Sequence, residues 1–264
     1  MPRPVSVSYR VLPTSEDMAA AAAEFFASAV SAAAKARGVA RVAISGGTTP
    51  KAMFALLADR SAPYFAQVPW ERLHLFWADE RCVPPTDAES NYRMTKEAML
   101  EHVPLPASQI HRMEGELDPQ VAAARYEAAI RAAFRLEGAQ IPAFDLVLLG
   151  LGEDGHTASL FPHTAALIEM VRIAVANHVP QKKTWRITLT WPVINRGHEV
   201  AFLIEGAAKA QAVQDVFCGA YDPEAKPAQL IRPASGRLTL LLDSDAASKL
   251  PGTGAKGAGT LKIL

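Results

Sequence analysis

The densest run of chemically useful residues is Gly150-Leu-Gly-Glu-Asp-Gly-His156, continuing through Thr157-Ala-Ser-Leu-Phe161 to Pro162. His156 offers an imidazole that accepts a proton near neutral pH, and Asp154 stands two residues away to orient it. Gly150, Gly152 and Gly155 let the backbone turn sharply and let a ligand come close. The place of His156 directly after a glycine-acid-acid-glycine turn favours acid–base work over a structural role. A second stretch, Ser45-Gly-Gly-Thr-Thr-Pro50, brings N–H groups and hydroxyls to the start of a helix, which suits an anion such as phosphate. The alternative is that Gly46 and Gly47 merely make a tight turn. Asp79-Glu80-Arg81 closes another apolar run, and taken alone it reads as a solvated turn rather than a site edge. Lys209 falls in the first turn of a helix, where a cation opposes the dipole unless an anion sits there.

Several chemistries are excluded by what surrounds these residues. Gly150-x-Gly152-x-x-Gly155 matches a dinucleotide fingerprint literally, but Pro162 arrives too soon for the long helix that fingerprint needs. No strand ending in an acid follows either, so a nicotinamide or flavin cofactor is set aside. The glycine-hydroxyl turn lacks Walker spacing. No Gly-x-Ser-x-Gly elbow is present, so Ser45 and Ser159 have little support as nucleophiles. The seven histidines never fall at metal spacing, and the two cysteines, Cys82 and Cys218, are far apart and in no redox motif.

These groups must be positioned by a scaffold. The chain has 264 residues, enough for a real core, with 27 basic and 27 acidic side chains, so charge calls for neither nucleic acid nor an acidic membrane. Met1 to Ser6 carries no apolar signal core, and Met18–Ala34 is too alanine-rich for a membrane span. A soluble, cytoplasmic protein is expected. Strands are predicted at Val5–Leu12 (an edge), Arg41–Ser45, Leu73–Ala78, Leu146–Leu149, Trp185–Trp191, Glu199–Ile204 and Arg237–Leu242. Helices are predicted at Ser15–Arg37 with Gly38 as cap, from Pro50 through Leu57 with threonines in capping positions, and from Asn91 to about His102. Two more are predicted, from Asp118-Pro119 to about Arg135 and from Ala207 to about Phe217. The alternation predicts one doubly wound α/β domain over residues 1–250 with a mainly parallel sheet, then a flexible tail at 251–264. In such a sheet Ser45–Thr49, Asp79–Arg81, Gly150–His156 and Glu205–Lys209 share one edge. No exposed heptad demands an oligomer, so a monomer is expected, with a weak dimer as the alternative.

The motifs Ser45-Gly-Gly-Thr-Thr-Pro50, Asp79-Glu-Arg81 and above all Gly150 to Pro162 resemble those of the 6-phosphogluconolactonase family. Arg186-Ile-Thr-Leu189 and Gly206-Ala-Ala-Lys209 are similar to the same family, and the resemblance covers roughly Ile44 to Asp243. It implies a three-layer, Rossmann-like α/β fold shared with glucosamine-6-phosphate deaminases. It also implies hydrolysis of 6-phospho-D-glucono-1,5-lactone to 6-phosphogluconate in the oxidative pentose phosphate pathway, with no metal or organic cofactor. Deaminases place a glutamate where this chain has Phe161, which neither accepts a proton nor hydrogen-bonds an imidazole, so the deaminase reading falls behind. A phosphosugar-binding regulator is the remaining alternative, and no basic helix-turn-helix accompanies the domain.

On that resemblance His156 is the expected base and Asp154 its partner, as in a triad. Arg81, Arg186 and Lys209 are the expected phosphate ligands. Ser45, Gly46, Gly47, Thr48 and Gly152 are expected to meet substrate through the glycine loops, at phosphate or oxyanion. Asp79 is expected to order a substrate hydroxyl or water.

Overall fold

β1 (Val5–Leu12) leads into α1 (Ser15–Arg37), which starts where the Thr14 side chain accepts the Asp17 N–H. Gly38 closes α1 at φ 77°, a left-handed conformation that costs glycine nothing. Next come β2 (Ala40–Ile44), α2 (Thr48–Ala58), α3 (Pro63–Gln67), β3 (Leu73–Trp77) and β4 (Asp79–Arg81). α4 (Asn91–Thr95) widens into a π-type turn at Lys96–Leu100 and is followed by β5 (Ile110–His111). α5 (Pro119–Phe134) opens where the Asp118 carboxylate accepts the N–H groups of Gln120 and Val121. The rest of the chain forms β6 (Leu146–Leu149), β7 (Ala174–Val179), β8 (Thr184–Leu189), α6 (Trp191–Ile194) and β9 (Val200–Ile204). It ends with α7 (Ala210–Phe217), β10 (Leu238–Asp243) and β11 (Gly257–Ile263). This computed structural model describes residues 5–235, 237–251 and 257–263.

Eight strands form the main sheet in the order β11-β1-β10-β9-β6-β2-β3-β5, and all its pairings are parallel except that of β11 with β1. From β2 the chain builds outward to β3 and β5, then returns to lay β6 on the other side of β2 and builds outward again to β9 and β10. The order therefore reverses between β2 and β6. At such a switch point the loops leaving the two strands diverge and leave a crevice. β6 reads Leu-Val-Leu-Leu and is buried throughout, as a strand covered on both faces must be. α1 packs across β10, β6 and β2 through an alanine-rich face that includes Ala22, Ala23, Ala27 and Ala33. Small side chains let that helix lie close to the sheet. No helix among the described residues is long and apolar enough to cross a membrane.

A second sheet, β4-β8-β7, is antiparallel and lies across α5 from the first. Three sequence expectations change here. Asp79-Glu80-Arg81 is a strand, not a turn, because Thr188, Ile187 and Arg186 pair with it. The Trp185–Trp191 run becomes β8 of this small sheet and stops at Leu189, with Trp191 opening α6. β1 is not an edge: Gly257–Ile263, expected within a flexible tail, pairs along it as β11. Gly259 makes that pairing possible, since a Cβ there would meet the Tyr9 ring at 2.5 Å from its hydroxyl oxygen. Residues 252–256 and 264 of the expected tail lie outside the described residues.

The far edge of the main sheet carries a half-buried histidine pair. His74 Nδ1 and His111 Nε2 are 3.1 Å apart, and His111 stacks on Phe76 at 4.3 Å between centroids. Burial, then His74 and Arg41, pushes His111 down to about 4; burial and Arg41 also lower His74. The folded rings therefore resist protons that the unfolded chain takes up near ~6.5. Stability is complete above that value and is lost as pH falls from there toward the folded value. The unfolding free energy from urea titrations is expected to drop between pH 7 and 4.5, by on the order of 1 kcal/mol for this pair after solvent screening. His111→Gln should flatten that part of the slope, and an unchanged slope would remove the pair as its cause.

Candidate active site

The crevice at the switch point is walled by the loops that leave β2, β3 and β6 and by the turn after β9. Ser45, Gly46 and Gly47 come from the first, Asp79 and Arg81 from β4 beyond β3, and Gly152 and His156 from the third. Lys209 reaches in from the short helical turn before α7. The edge predicted from sequence is thus a single cleft.

The turn after β6 exists to present one imidazole. Gly155 donates its N–H to Gly152 O (3.0 Å), and Gly152 donates to His156 O (2.8 Å), closing the chain on itself. Gly155 sits at φ 86°, and a side chain there would run into Lys226. Inside the turn, Asp154 Oδ1 lies 2.5 Å from His156 Nδ1 and also accepts the His156 N–H at 3.1 Å. Burial raises the Asp154 carboxyl, but the hydrogen bonds and charge of His156 outweigh it and hold the group below the ordinary carboxylate range. An ionised Asp154 accepts a hydrogen bond from Nδ1–H and so keeps the proton on that nitrogen, which leaves Nε2 with the lone pair. The Nδ1–Cε1 edge of the ring packs on Gly152, where a Cβ would lie 2.0 Å from Nδ1. Gly152 was expected to bind substrate, and it lines the cleft. Its N–H is spent inside the turn, and the residue provides room for the ring.

β4 makes the opposite wall by strand alternation, with Asp79 and Arg81 toward the cleft and Glu80 away from it. Glu80 is 1% exposed. Its Oε1 accepts from Arg81 N and Asn91 N (2.8 and 2.7 Å), and its Oε2 from Tyr92 N and Ser90 Oγ (2.8 and 3.1 Å). One carboxylate thereby ties the strand end to the first turn of α4. Burial pushes its pKa up, and the donated N–H groups oppose that. Asp79 accepts from Ser159 Oγ at 2.8 Å, and Arg81 Nη1 donates to Glu89 O.

The turn after β2 follows its motif with one change. α2 begins at Thr48 with Gly47 (φ 129°) in the capping position, and no threonine side chain caps it. Thr49 Oγ1 instead donates to Glu205 Oε2 at 3.0 Å, and Thr48 faces a neighbouring depression shared with Ser15 and Glu205. Thr48 therefore does not line the cleft. The N–H groups of Gly46 and Gly47 donate to no acceptor among the described residues, and the Ser45 hydroxyl is buried without a partner there. Three free donors at a helix start make an anion or oxyanion cradle.

Lys209 Nζ stands 3.7 Å from the exposed Glu153. Arg186, on β8, pairs in register with Arg81 on β4; its guanidinium is held below the ordinary value by burial and then by Arg81. It does not line the cleft directly. Asn91 was missed from sequence. It donates Nδ2 to Asp79 O at 2.9 Å, and its Oδ1 occupies the space a Cβ on Gly46 would take, only 1.8 Å away. Its signal was faint: an asparagine after Ser90 reads only as the start of a helix. Leu151 and Ala158 also line the cleft, and their apolar side chains announce nothing in a sequence.

Residues 13–240 match the family described as glucosamine-6-phosphate isomerases/6-phosphogluconolactonase. Among curated proteins, the chain is 44% identical over 216 residues to a 6-phosphogluconolactonase of Synechocystis sp., covering 81% of this chain and 86% of that one. It is 40% identical over 257 residues to the 6-phosphogluconolactonase of Mycobacterium tuberculosis, covering 94% and 100%. The solved 6-phosphogluconolactonase of Trypanosoma cruzi superposes with a TM-score of 0.78 at 28% identity, over 92% of this chain and 96% of that one. A monomeric glucosamine-6-phosphate deaminase superposes with a TM-score of 0.75 at 19% identity, over 91% and 99%, a likeness of fold alone.

Proposed function

The chain belongs to the glucosamine-6-phosphate isomerase and 6-phosphogluconolactonase family, and from that premise and the cleft we propose that it hydrolyses 6-phospho-D-glucono-1,5-lactone to 6-phosphogluconate, the second step of the oxidative pentose phosphate pathway. The observation that carries the reading is an imidazole tied to a carboxylate through Nδ1, facing a cleft that also holds Arg81 and Lys209. Nε2 of neutral His156 takes a proton from water as the water oxygen bonds to the lactone carbonyl carbon. The resulting oxyanion collapses, the bond from that carbon to the ring oxygen breaks, and the imidazolium returns its proton to the leaving oxygen. Asp154 keeps the proton on Nδ1 throughout and steadies the imidazolium.

The phosphate lies remote from the bond that breaks, so its binding energy serves positioning. Arg81 and Lys209 take it at the cleft wall, with Arg186 behind Arg81 adding charge. Two guanidiniums held near one another repel, and a dianion relieves that repulsion. The free N–H groups of Gly46 and Gly47 receive the oxyanion or the phosphate. Asp79, steadied by Ser159, orders a sugar hydroxyl.

The test follows opening of freshly generated lactone at mildly acidic pH, where spontaneous hydrolysis is slow, with glucosamine 6-phosphate in a parallel tube. Lactone opening without ammonia release is the expected result, and ammonia from the amino sugar would overturn it. Lys209→Ala and Arg81→Ala are expected to raise KM by about 10-fold or more with a smaller change in kcat, as for a lost charge-assisted contact. An unchanged KM would take that side chain out of the phosphate site.

A further inference from the structure

The Asp154 bond fixes one atom of the His156 ring and leaves the plane of the ring free to tilt about it. Something else holds that plane. The Phe161 ring lies against the imidazole with 4.0 Å between centroids and 20° between planes, and Phe161 is itself only 4% exposed. We propose that Phe161 is a positioning residue: its flat face sets the plane of His156 so that Nε2 stays aimed into the cleft. The proposal rests on the reading of His156 as the base.

Phe161 can serve as a stop because its own backbone is anchored from three sides. Thr164 Oγ1 donates to Phe161 O at 2.7 Å. Two residues upstream, Ser159 donates Oγ to Asp79 Oδ2 (2.8 Å) and its N–H to Thr188 Oγ1 (3.2 Å), and its carbonyl accepts Asn177 Nδ2 (2.9 Å). Asp79 is on β4, Thr188 on β8 and Asn177 on β7. Every strand of the small sheet thus grips the segment that ends in Phe161. That sheet carries Asp79 and Arg81 on one wall and, through Ser159, fixes the partner of the imidazole on the other. An aliphatic side chain would fill the same volume but present no plane, and stacked rings gain from face contact beyond burial.

The experiment compares Phe161→Leu, Phe161→Tyr and His156→Ala in lactone opening, with thermal melting of each. Phe161→Leu is expected to lower kcat by about 10- to 100-fold with KM nearly unchanged, since a small tilt of a reacting group costs that much. Phe161→Tyr keeps the flat ring and is expected to restore most of the turnover at an unchanged KM. A Phe161→Leu enzyme with wild-type kcat, or with its loss confined to KM, overturns the proposal. So does an equal loss in the leucine and tyrosine variants with normal melting. His156→Ala separates the two levels. If it is inactive while Phe161→Leu is fully active, only the role of Phe161 falls; if it is fully active, the reading of His156 falls first. The wild-type protein supplies a readout that needs no folded Phe161 variant. The His156 Hε1 proton resonance, assigned by its disappearance in His156→Ala, is expected upfield of the other histidines through the ring current of Phe161. A signal in the ordinary histidine range would overturn the stacking.

Discussion

His156→Ala is expected to lower kcat for the lactone by about 10²- to 10⁴-fold, the usual worth of a positioned general base, while KM moves little. The expectation follows from the division of labour in the cleft. Arg81 and Lys209 stand on other walls of the cleft, so the phosphate contacts proposed for them do not depend on the imidazole. Asp154→Asn should cost a comparable factor by a different route. A carboxylate 2.5 Å from Nδ1 accepts a hydrogen bond from Nδ1–H, whereas the amide nitrogen of asparagine donates a hydrogen bond to a bare Nδ1. That donation moves the ring proton to Nε2 and leaves no lone pair for water. Single-turnover lactone opening against the spontaneous rate measures both. A His156→Ala enzyme within a few-fold of wild type would move the base elsewhere.

Gly152→Ala is expected to be nearly as damaging, at about 100-fold in kcat, without touching a group that does chemistry. The added methyl would stand 2.0 Å from Nδ1 and 2.2 Å from Cε1 of His156, and 2.7 Å from Asp154 Oδ1. Ring and carboxylate must move apart to admit it. Gly152 does not have a positive φ, so alanine strains no backbone and the melting temperature should hold. Loss of turnover with preserved stability is therefore the signature. A fully active Gly152→Ala would show that the turn tolerates displacement of its imidazole.

The parts of this molecule legible in the sequence are those decided within a few residues. Gly38 and Asp118 mark helix ends by local hydrogen bonds, and Leu146–Leu149 declares a buried strand by composition alone. The common edge of the four loops followed from that alternation, since parallel strands leave their ends together. What escaped depends on partners far along the chain. Asp79-Glu80-Arg81 has the composition of a solvated turn, and it becomes a strand only because Arg186–Thr188 lies beside it. The burial of Glu80 was invisible for the same reason, as its donors include Ser90, Asn91 and Tyr92. Thr48 was placed on the right loop but faces a neighbouring depression, and the N–H of Gly152, which does line the cleft, is spent inside its own turn. A motif fixes which loop a residue occupies, and one rotation of backbone decides whether its hydroxyl or N–H meets the cleft. Phe161 entered the sequence reading for the acid it is not, and the ring it presents to His156 shows only in the fold.

The grip of Glu80 has a consequence for how such a cleft changes over generations. Because one carboxylate holds both Arg81 N and Asn91 N, residues 82–90 form a cassette with clamped ends. Lengthening a loop whose ends are already joined costs little, roughly 0.6 kcal/mol per doubling. Arg81 adds a clasp at Glu89, just inside the far clamp. New sequence at 82–88 is thus tolerated while Arg81 and Asn91, which line the cleft, stay where they are.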